Sequence, residues 1–411
     1  MTRVIQSCRL AILASHPIQY FTPVYRRLAR VPGLNVEVWY CRDFGARPAY
    51  DQQFDRIVKW DVDQLEGYDH RFLFNTSPTS NTFNPLHAIN PGAFLRMFRG
   101  YDALWVNGYM YPSNYFAAIG AKMSNARILM RSDMSASIRR ALRVGGSIRN
   151  AVIRRWIAAS DALLFIGRRN REAYLAYGAD EKKLFFTPFS VDVEGIAATV
   201  ARSTDRAALR HEWGIPSDRT VLLFVGKLTP RKHPEAMLHL AAQCGPNVHV
   251  VLVGSGSLEQ ALRADLKLMG LSNVSILGFV NQRRLPEVYA LADIFVMPSE
   301  EEPWGLVLNE AMAAGLAPVV CSDVGAAADL IREGETGFTF ASRDWQAMTT
   351  LVRQLVVDVD SRAAIGKAAH AASNRYSYDA TTNGIVHALT SLDVYAPQAT
   401  SASMALVNDR A

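Results

Sequence analysis

FVMPSEEEPWGLVLNEAMAAG, residues 295 to 315, compresses a strand, an acidic turn, one glycine and a helix start into about twenty residues. Ile294 to Met297 is an apolar run of strand length, and Pro298 and Ser299 stop it. Leu306, Val307, Leu308, Ala311, Met312 and Ala314 continue as a mostly buried helix that begins near Trp304 or Gly305. The first amides of a helix are unpaired and carry partial positive charge, and Gly305 lets a phosphate approach the backbone with no Cβ in the way. Glu302 and Glu310 would repel that phosphate unless each carboxylate were occupied with hydroxyls. Vicinal sugar hydroxyls suit them, Glu310 on a ribose and Glu302 on a second sugar. By itself the spacing of the two glutamates fits an acidic, solvated loop ahead of a core helix equally well; the full string is much more specific.

Outward from this segment, short β-rich runs alternate with helical ones. Arg9 to Ala14, Val36 to Tyr40, Arg71 to Phe74, Ala103 to Val106, Arg127 to Arg131 and Ala162 to Ile166 read as strands of a parallel sheet with crossover helices. After Pro188 and a stretch ending near Pro216, the rhythm restarts with Val221 to Val225, Val248 to Val253, Val274 to Leu277, Ile294 to Met297 and Ala317 to Val320. Two doubly wound units facing each other leave a cleft at the carboxyl ends of their strands, where open α/β sheets bind ligands.

Val221 to Val225 runs into Gly226, Lys227, Leu228, Thr229, Pro230, Arg231, Lys232 and His233, a cationic turn. Lys227, Arg231 and Lys232 just past a buried strand are badly placed for packing and well placed for a diphosphate, although a solvated surface turn has the same composition. Val250 to Val253 leads into Gly254, Ser255, Gly256 and Ser257; tight-turn geometry explains such a glycine pair as well as a ligand does.

The string from Glu302 to Gly315 resembles the donor-binding signature of retaining glycosyltransferases of family 4, with Glu302, Pro303, Gly305, Leu306, Val307, Glu310, Ala311, Met312, Ala313, Ala314 and Gly315 where that family places them. The resemblance is strong from about Val221 to Phe340 and weaker before Phe189. It implies the α/β class and the GT-B fold, two facing Rossmann-like domains with a cleft between them. The expected division is an acceptor-binding domain over 1–189, a nucleotide-sugar-binding domain over 190–376, a last helix over 377–394 crossing back to the first domain, and a disordered tail over 395–411. The implied reaction is metal-independent and needs no cofactor: a hexosyl unit passes from a nucleoside-diphosphate sugar to an acceptor hydroxyl with retention. By the same resemblance Gly226, Lys227 and Lys232 bind the diphosphate, with Arg231 beside them. Lysine at 227 stands where arginine is commoner, so bidentate contact is lost there. Gly254 lines the nucleotide, Phe279 and Val280 belong to the segment whose backbone reads the base, and Gly305, Leu306 and Val307 complete the phosphate cradle. Glu302 holds the transferred sugar and Glu310 the ribose.

In the first domain the pattern is broken. Ser15, His16, Pro17, Ile18, Gln19 and Tyr20 follow the first strand where the family usually has glycines. His16 is an acceptor-side candidate, as are Asn107 and Tyr109 after the strand from Ala103. Asp133 stands at a strand end where many relatives carry a histidine, and it is the first domain's candidate for a catalytic group. These departures keep two alternatives open. One is a binding protein that retains the donor site without acceptor chemistry. The other is a nucleotide-sugar epimerase of the same fold, although no convincing acid/base pair for it is found.

Composition narrows the partners. At 411 residues the chain calls for two domains at roughly 150 residues each. A net charge of +6 and a pI near 9.1 favour anionic partners without naming one. Arg139, Arg140, Arg143, Arg149, Arg154 and Arg155 interleave with Ala141, Leu142, Val152, Ile153, Trp156 and Ile157. That pattern fits a helix at an anionic membrane surface and, equally, a helix packed on its own domain. No recognised nucleic-acid-binding module accompanies the charge, so nucleic acid is not an expected partner. Cys8, Cys41, Cys244 and Cys321 lie too far apart for metal or redox spacing and are expected to be reduced. Asp61-Val62-Asp63 and Asp358-Val359-Asp360 have a metal-binding form but follow no strand at the cleft, and read as incidental. With no signal peptide and no span of about 18 apolar residues, the expected location is cytoplasmic, peripheral on the inner face of the membrane. The expected partners are the nucleotide-sugar donor and a glycan or lipid-linked acceptor, in polysaccharide or lipopolysaccharide assembly.

Overall fold

The computed structural model describes residues 7–52, 54–78, 84–134 and 147–397. Its strands, in chain order, are β1 Cys8–Ala14, β2 Leu34–Tyr40, β3 Ala49–Asp51, β4 Arg56–Val58, β5 Asp69–Phe72, β6 Ala103–Asn107, β7 Arg127–Arg131, β8 Ala162–Phe165 and β9 Leu184–Phe186, followed by β10 Thr220–Val225, β11 Val248–Val253, β12 Val274–Gly278, β13 Ile294–Met297, β14 Ala317–Cys321 and β15 Phe338–Phe340. Parallel strands covered by helices on both faces have no solvent side, which is why runs such as VHVVLV are apolar throughout and buried at every position.

The first sheet has the order β5-β2-β1-β6-β7-β8-β9 and the second β12-β11-β10-β13-β14-β15, all parallel. Each order reverses once, between β1 and β6 and between β10 and β13. In open α/β sheets such a reversal opens a crevice at the carboxyl ends of the strands. The cationic turn follows β10 and the acidic turn follows β13, so the two segments singled out in the sequence flank one crevice.

Several features were not legible from pattern. β5 begins two residues before the strand expected at Arg71, and β9 and β15 are three-residue edge strands, too short for a period to register. β3 and β4 pair antiparallel with each other and belong to neither large sheet.

The helix Tyr378–Ser391 packs on the helix Thr22–Leu28 and on β9. Arg27 pairs with Asp379 at 2.7 Å, and Thr381 Oγ1 donates to the Pro188 carbonyl at 2.7 Å. Arg131, buried among Phe21, Trp105 and Phe189, donates to the same carbonyl at 3.1 Å. The stretch joining the domains is thus held from both sides. The tail expected to be disordered from Tyr395 is ordered at its start, because Val394 and Tyr395 are buried in the first core and the Tyr395 hydroxyl donates to Pro32 O at 2.7 Å. Residues 398–411 lie outside the described residues.

Gly384 seats this last helix. A Cβ there would lie 2.0 Å from the Phe186 carbonyl oxygen, so Gly384→Ala must lift the helix from β9. The variant is expected to lose about 1 to 3 kcal/mol in urea denaturation, the range for forced overpacking; an unchanged midpoint would contradict the contact.

Candidate functional site

The turn after β10 tightens into a short helical turn at Pro230–Lys232, and His233 ends it in the left-handed region at φ 49°. This aims Lys232 and Arg231 at the turn after β13. Lys232 Nζ pairs directly with Glu302 Oε2, both side chains being largely buried, and Arg231 stands 3.8 Å from the same oxygen. The structure assigns the three consecutive glutamates different surroundings. Glu300 lies against Arg343 at 2.7 Å and against His233 at 3.0 Å, contacts that hold its carboxyl down at about 2. Glu301 sits at a positive φ of 49° and offers its carbonyl to Arg231 at 3.1 Å. Glu302 joins Lys232 and Arg231 of the turn after β10 through a largely buried carboxylate.

Gly305 enters the helix Leu306–Ala313 at φ 100°, and a Cβ there would meet Met297 Cε at 2.9 Å and Val324 Cγ1 at 3.0 Å. Glycine is therefore required by conformation and by space, before any ligand is considered. The first-turn amides of Leu306 and Val307 open this helix beside the crevice. Gly226 constrains Gly254: a Cβ on Gly254 would lie 1.8 Å from Gly226 O, so close packing between neighbouring turns accounts for this glycine. Ser255 O in turn accepts from Leu228 N at 2.9 Å.

Glu310 is buried one turn into the helix. Its Oε2 accepts from the Tyr289 hydroxyl at 2.7 Å, and Tyr20 of the first domain also donates to it. Burial pushes this carboxyl up to about 7, and the two tyrosine hydrogen bonds only partly offset that. Neither tyrosine was singled out in the sequence, since each reaches Glu310 only through folding.

At the far end of the crevice Phe279 packs edge to face with Phe54 at 5.1 Å and with Trp60 at 6.0 Å, while Val280 packs against the second core. Phe54 and Trp60 come from the first domain and also went unremarked in the sequence. Lys227 of the cationic turn meets this segment too, with Asp51 at 3.8 Å and the Phe54 ring at 4.5 Å. Burial lowers the Lys227 pKa, and Asp51 opposes that shift. Asp61 was read as incidental, yet its carboxylate accepts from the Arg283 amide at 3.2 Å across the domains. Asp63 accepts from Leu65 and Glu66, and Asp358 caps a helix at Ser361 N, so both D-x-D runs have structural partners. No cluster able to hold a metal ion occurs among the described residues.

On the first-domain side, the ends of β1, β6 and β7 bring His16, Asn107 and Asp133 to one edge of the sheet. His16 shares a hydrogen bond with Ser15 at 2.9 Å and packs on Phe44, and burial, with His87 and Arg42 nearby, depresses its pKa to about 4. Its imidazole is therefore neutral at pH 7. Asn107 Nδ2 donates to Leu13 O at 3.3 Å, tying β6 to β1. Tyr109 is half-buried and bonds to Arg149, and Asp133 is exposed. Of the basic stretch, Arg139, Arg140 and Arg143 lie outside the described residues. Arg149, Arg154 and Arg155 project from the helix Ser147–Ala159, whose Ile153, Trp156 and Ile157 are buried in their own domain.

The family model of glycosyl transferases group 1 matches residues 205–372, which contain the crevice and both of its charged turns. This match lies within the second domain. A D-inositol 3-phosphate glycosyltransferase of Xylanimonas cellulosilytica is 32% identical over 247 residues, 58% of this chain and 58% of its own length. The chain therefore spans less than two thirds of that relative. HepE of Anabaena, solved in complex with UDP, aligns over 94% of this chain and 100% of its own at TM-score 0.71 and 17% identity. WaaG, a glycosyltransferase involved in lipopolysaccharide biosynthesis, aligns over 93% of this chain and 99% of its own at TM-score 0.66 and 15% identity. At such identities these neighbours establish the fold: the second domain is one half of a two-domain GT-B molecule.

The Glu310 carboxyl makes a pH prediction. Its folded pKa, about 7, lies above the ordinary value of 4.5, so the folded state keeps a proton that the unfolded chain loses as pH rises through that window. Stability falls by about 3 kcal/mol from pH 4.5 to pH 7, and Glu310→Gln is spared this loss. The thermal midpoint of Glu310→Gln should exceed that of the wild type more at pH 8 than at pH 4.5; a pH-independent difference would refute the raised pKa.

Proposed function

We propose that this chain transfers a hexosyl unit from a nucleoside-diphosphate sugar to an acceptor hydroxyl, with retention at the anomeric carbon. The carrying observation is the meeting of Glu302 with Lys232 and Arg231 at the reversal of the second sheet, next to the opening of the helix Leu306–Ala313. A nucleotide sugar presents a diphosphate and hydroxyls side by side, and this arrangement presents their complements side by side. Lys227, Arg231, Lys232 and the amides of Gly305 to Val307 take the diphosphate, while Glu302 accepts from the sugar hydroxyls. In the reaction the bond from the anomeric carbon to the diphosphate oxygen breaks and a bond to the acceptor oxygen forms on the same face. The acceptor proton passes to the departing phosphate oxygen. Charge accumulates on that phosphate in the transition state, and fixed cations in a water-poor crevice stabilise it there without the aid of a metal. Glu310 takes the ribose by exchanging a tyrosine hydroxyl for a sugar hydroxyl.

Purified protein incubated with labelled nucleotide sugars is expected to show donor-dependent hydrolysis or transfer. Lys232→Ala should lower kcat about 100-fold, the usual cost of one well-aimed donor in such a site. Tight donor binding with neither hydrolysis nor transfer would favour the binding protein instead, and an epimerised sugar still on its nucleotide would favour the epimerase.

The acceptor is proposed to be a glycan or lipid-linked hydroxyl at an anionic membrane surface, in the assembly of cell-surface polysaccharide or lipopolysaccharide, with the protein cytoplasmic and peripheral. Support comes from the first domain. Tyr115, Ile119 and Met123 are exposed at successive turns of the helix Pro112–Met123, and Leu95, Phe98 and Ile148 are exposed on neighbouring segments. The outward arginines of the helix Ser147–Ala159 adjoin them through the Tyr115 to Trp156 contact. Apolar groups rimmed by arginine suit a headgroup layer. No described helix is long and apolar enough to cross a membrane. Sedimentation with phosphatidylglycerol vesicles should exceed that with phosphatidylcholine vesicles, and Ile119→Glu with Met123→Glu should reduce it several-fold; equal sedimentation of wild type and variant would refute this face.

A further inference from the structure

We propose that the β3–β4 hairpin of the first domain occupies part of the donor site and must be displaced by the incoming nucleoside diphosphate. The inference rests on the donor reading above and deepens it. The hairpin engages the groups that a donor would need. Asp51 places Oδ2 at 3.8 Å from Lys227 Nζ, and the same ammonium lies 4.5 Å from the centre of the Phe54 ring. Phe54 then meets Phe279 at 5.1 Å, edge to face. One carboxylate and one aromatic ring, a few residues apart, thus lie on a diphosphate cation and on the residue at the base end.

A donor and this hairpin cannot both be seated. A diphosphate on Lys227 would bring two anionic groups to one cation, and Asp51 is near enough to oppose it. Phe54 and Phe279 are in contact, with no gap between them for a base. Further anchors hold the segment down. Ser255 Oγ donates to Phe54 O at 2.9 Å, Asn281 Nδ2 donates to Lys59 O at 2.7 Å, and the Arg56 guanidinium lies 5.0 Å from the Phe279 ring centre.

The hairpin is also built to leave. Among the described residues its strands pair only with each other, at Ala49 with Val58, Tyr50 with Ile57 and Asp51 with Arg56. Tyr50 and Ile57 are 54% and 67% exposed, and of the apolar side chains on the two paired strands Val58 is the buried one. A two-stranded ribbon outside a sheet is marginally stable by itself. Beside it, a cavity of about 690 Å³ lined by Phe54, Arg56, Ser255, Gly256, Glu259 and Arg263 gives the ring room to withdraw. A donor that binds only when the hairpin is out has its apparent affinity reduced by the fraction of molecules with the hairpin in.

The test is calorimetric titration of the full chain, wild type, Phe54→Ala and Asp51→Asn, with UDP, GDP, ADP and inorganic pyrophosphate. Both substitutions fall on a peripheral hairpin, and unchanged circular dichroism serves as the folding check. Phe54→Ala should tighten the best-binding nucleotide by about threefold or more, and Asp51→Asn should tighten pyrophosphate as well. In hydrogen exchange, the same nucleotide should speed exchange of the wild-type amides between Phe54 and Trp60. Weaker nucleotide binding by Phe54→Ala would overturn the proposal and make the ring a stacking surface for the base. Unchanged affinities with unchanged exchange would overturn it too. Failure of the donor reading itself looks different: no nucleotide would bind the wild type or either variant, and both conclusions would fall together.

Discussion

One carboxylate and two cations meet where the second sheet reverses its winding, and the surrounding structure is arranged to hold that meeting. Adjacent parallel strands β10 and β13 diverge at their carboxyl ends, so their turns face each other over a crevice that neither strand's hydrogen bonding fills. The left-handed conformation of His233 directs the cationic turn inward. On the opposite side the Glu300 interactions with Arg343 and His233 anchor the acidic turn. Close glycine contacts reinforce both. Gly325 accepts the backbone at Pro303, where a Cβ would lie 1.9 Å from the carbonyl oxygen, and Gly254 accepts Gly226. The charged groups thus sit on backbone that close packing holds in place.

The first domain acts on this site from several directions. Arg169 donates to the carbonyls of Ser322, Asp323 and Val324, and Arg168 N donates to Asp329 at 2.8 Å. Gly167 admits Trp304, whose ring would lie 2.4 Å from a Cβ there. Trp304 is the residue just before Gly305, so the turn that opens the helix Leu306–Ala313 packs directly on the opposing domain. Tyr20 on Glu310 and Asp51 on Lys227 extend the same relation to two more residues of the crevice. In this arrangement the domains satisfy each other's polar groups.

How much of this was legible depended on the range of the interaction. The strands beside the two switch points were readable because parallel, doubly covered strands must be apolar at every position, as in Val221 to Val225 and Ile294 to Met297. β9 and β15 were missed because three residues carry no period. The sequence reading gave Lys232 to a diphosphate and Glu302 to a sugar, and their direct pairing emerged only in the fold. Gly254 looked ligand-related in sequence and proved to be demanded by Gly226. Tyr395 looked like the start of a polar tail and proved to be buried, because one aromatic ring in a stretch of small residues can still reach a core.

By itself the sequence determined the two parallel α/β units, the charge complement of the crevice and the glycine at the helix entrance. All of these follow from residue type and spacing within about twenty positions. Only the tertiary structure decided which of Glu300, Glu301 and Glu302 faces the cations, that Glu310 is buried between Tyr20 and Tyr289, and that Asp51 and Phe54 lie on Lys227 and Phe279. The reason is physical. A short acidic run has no local energy term that singles out one carboxylate, and contacts between residues more than 170 positions apart exist only once two separately folded cores have docked.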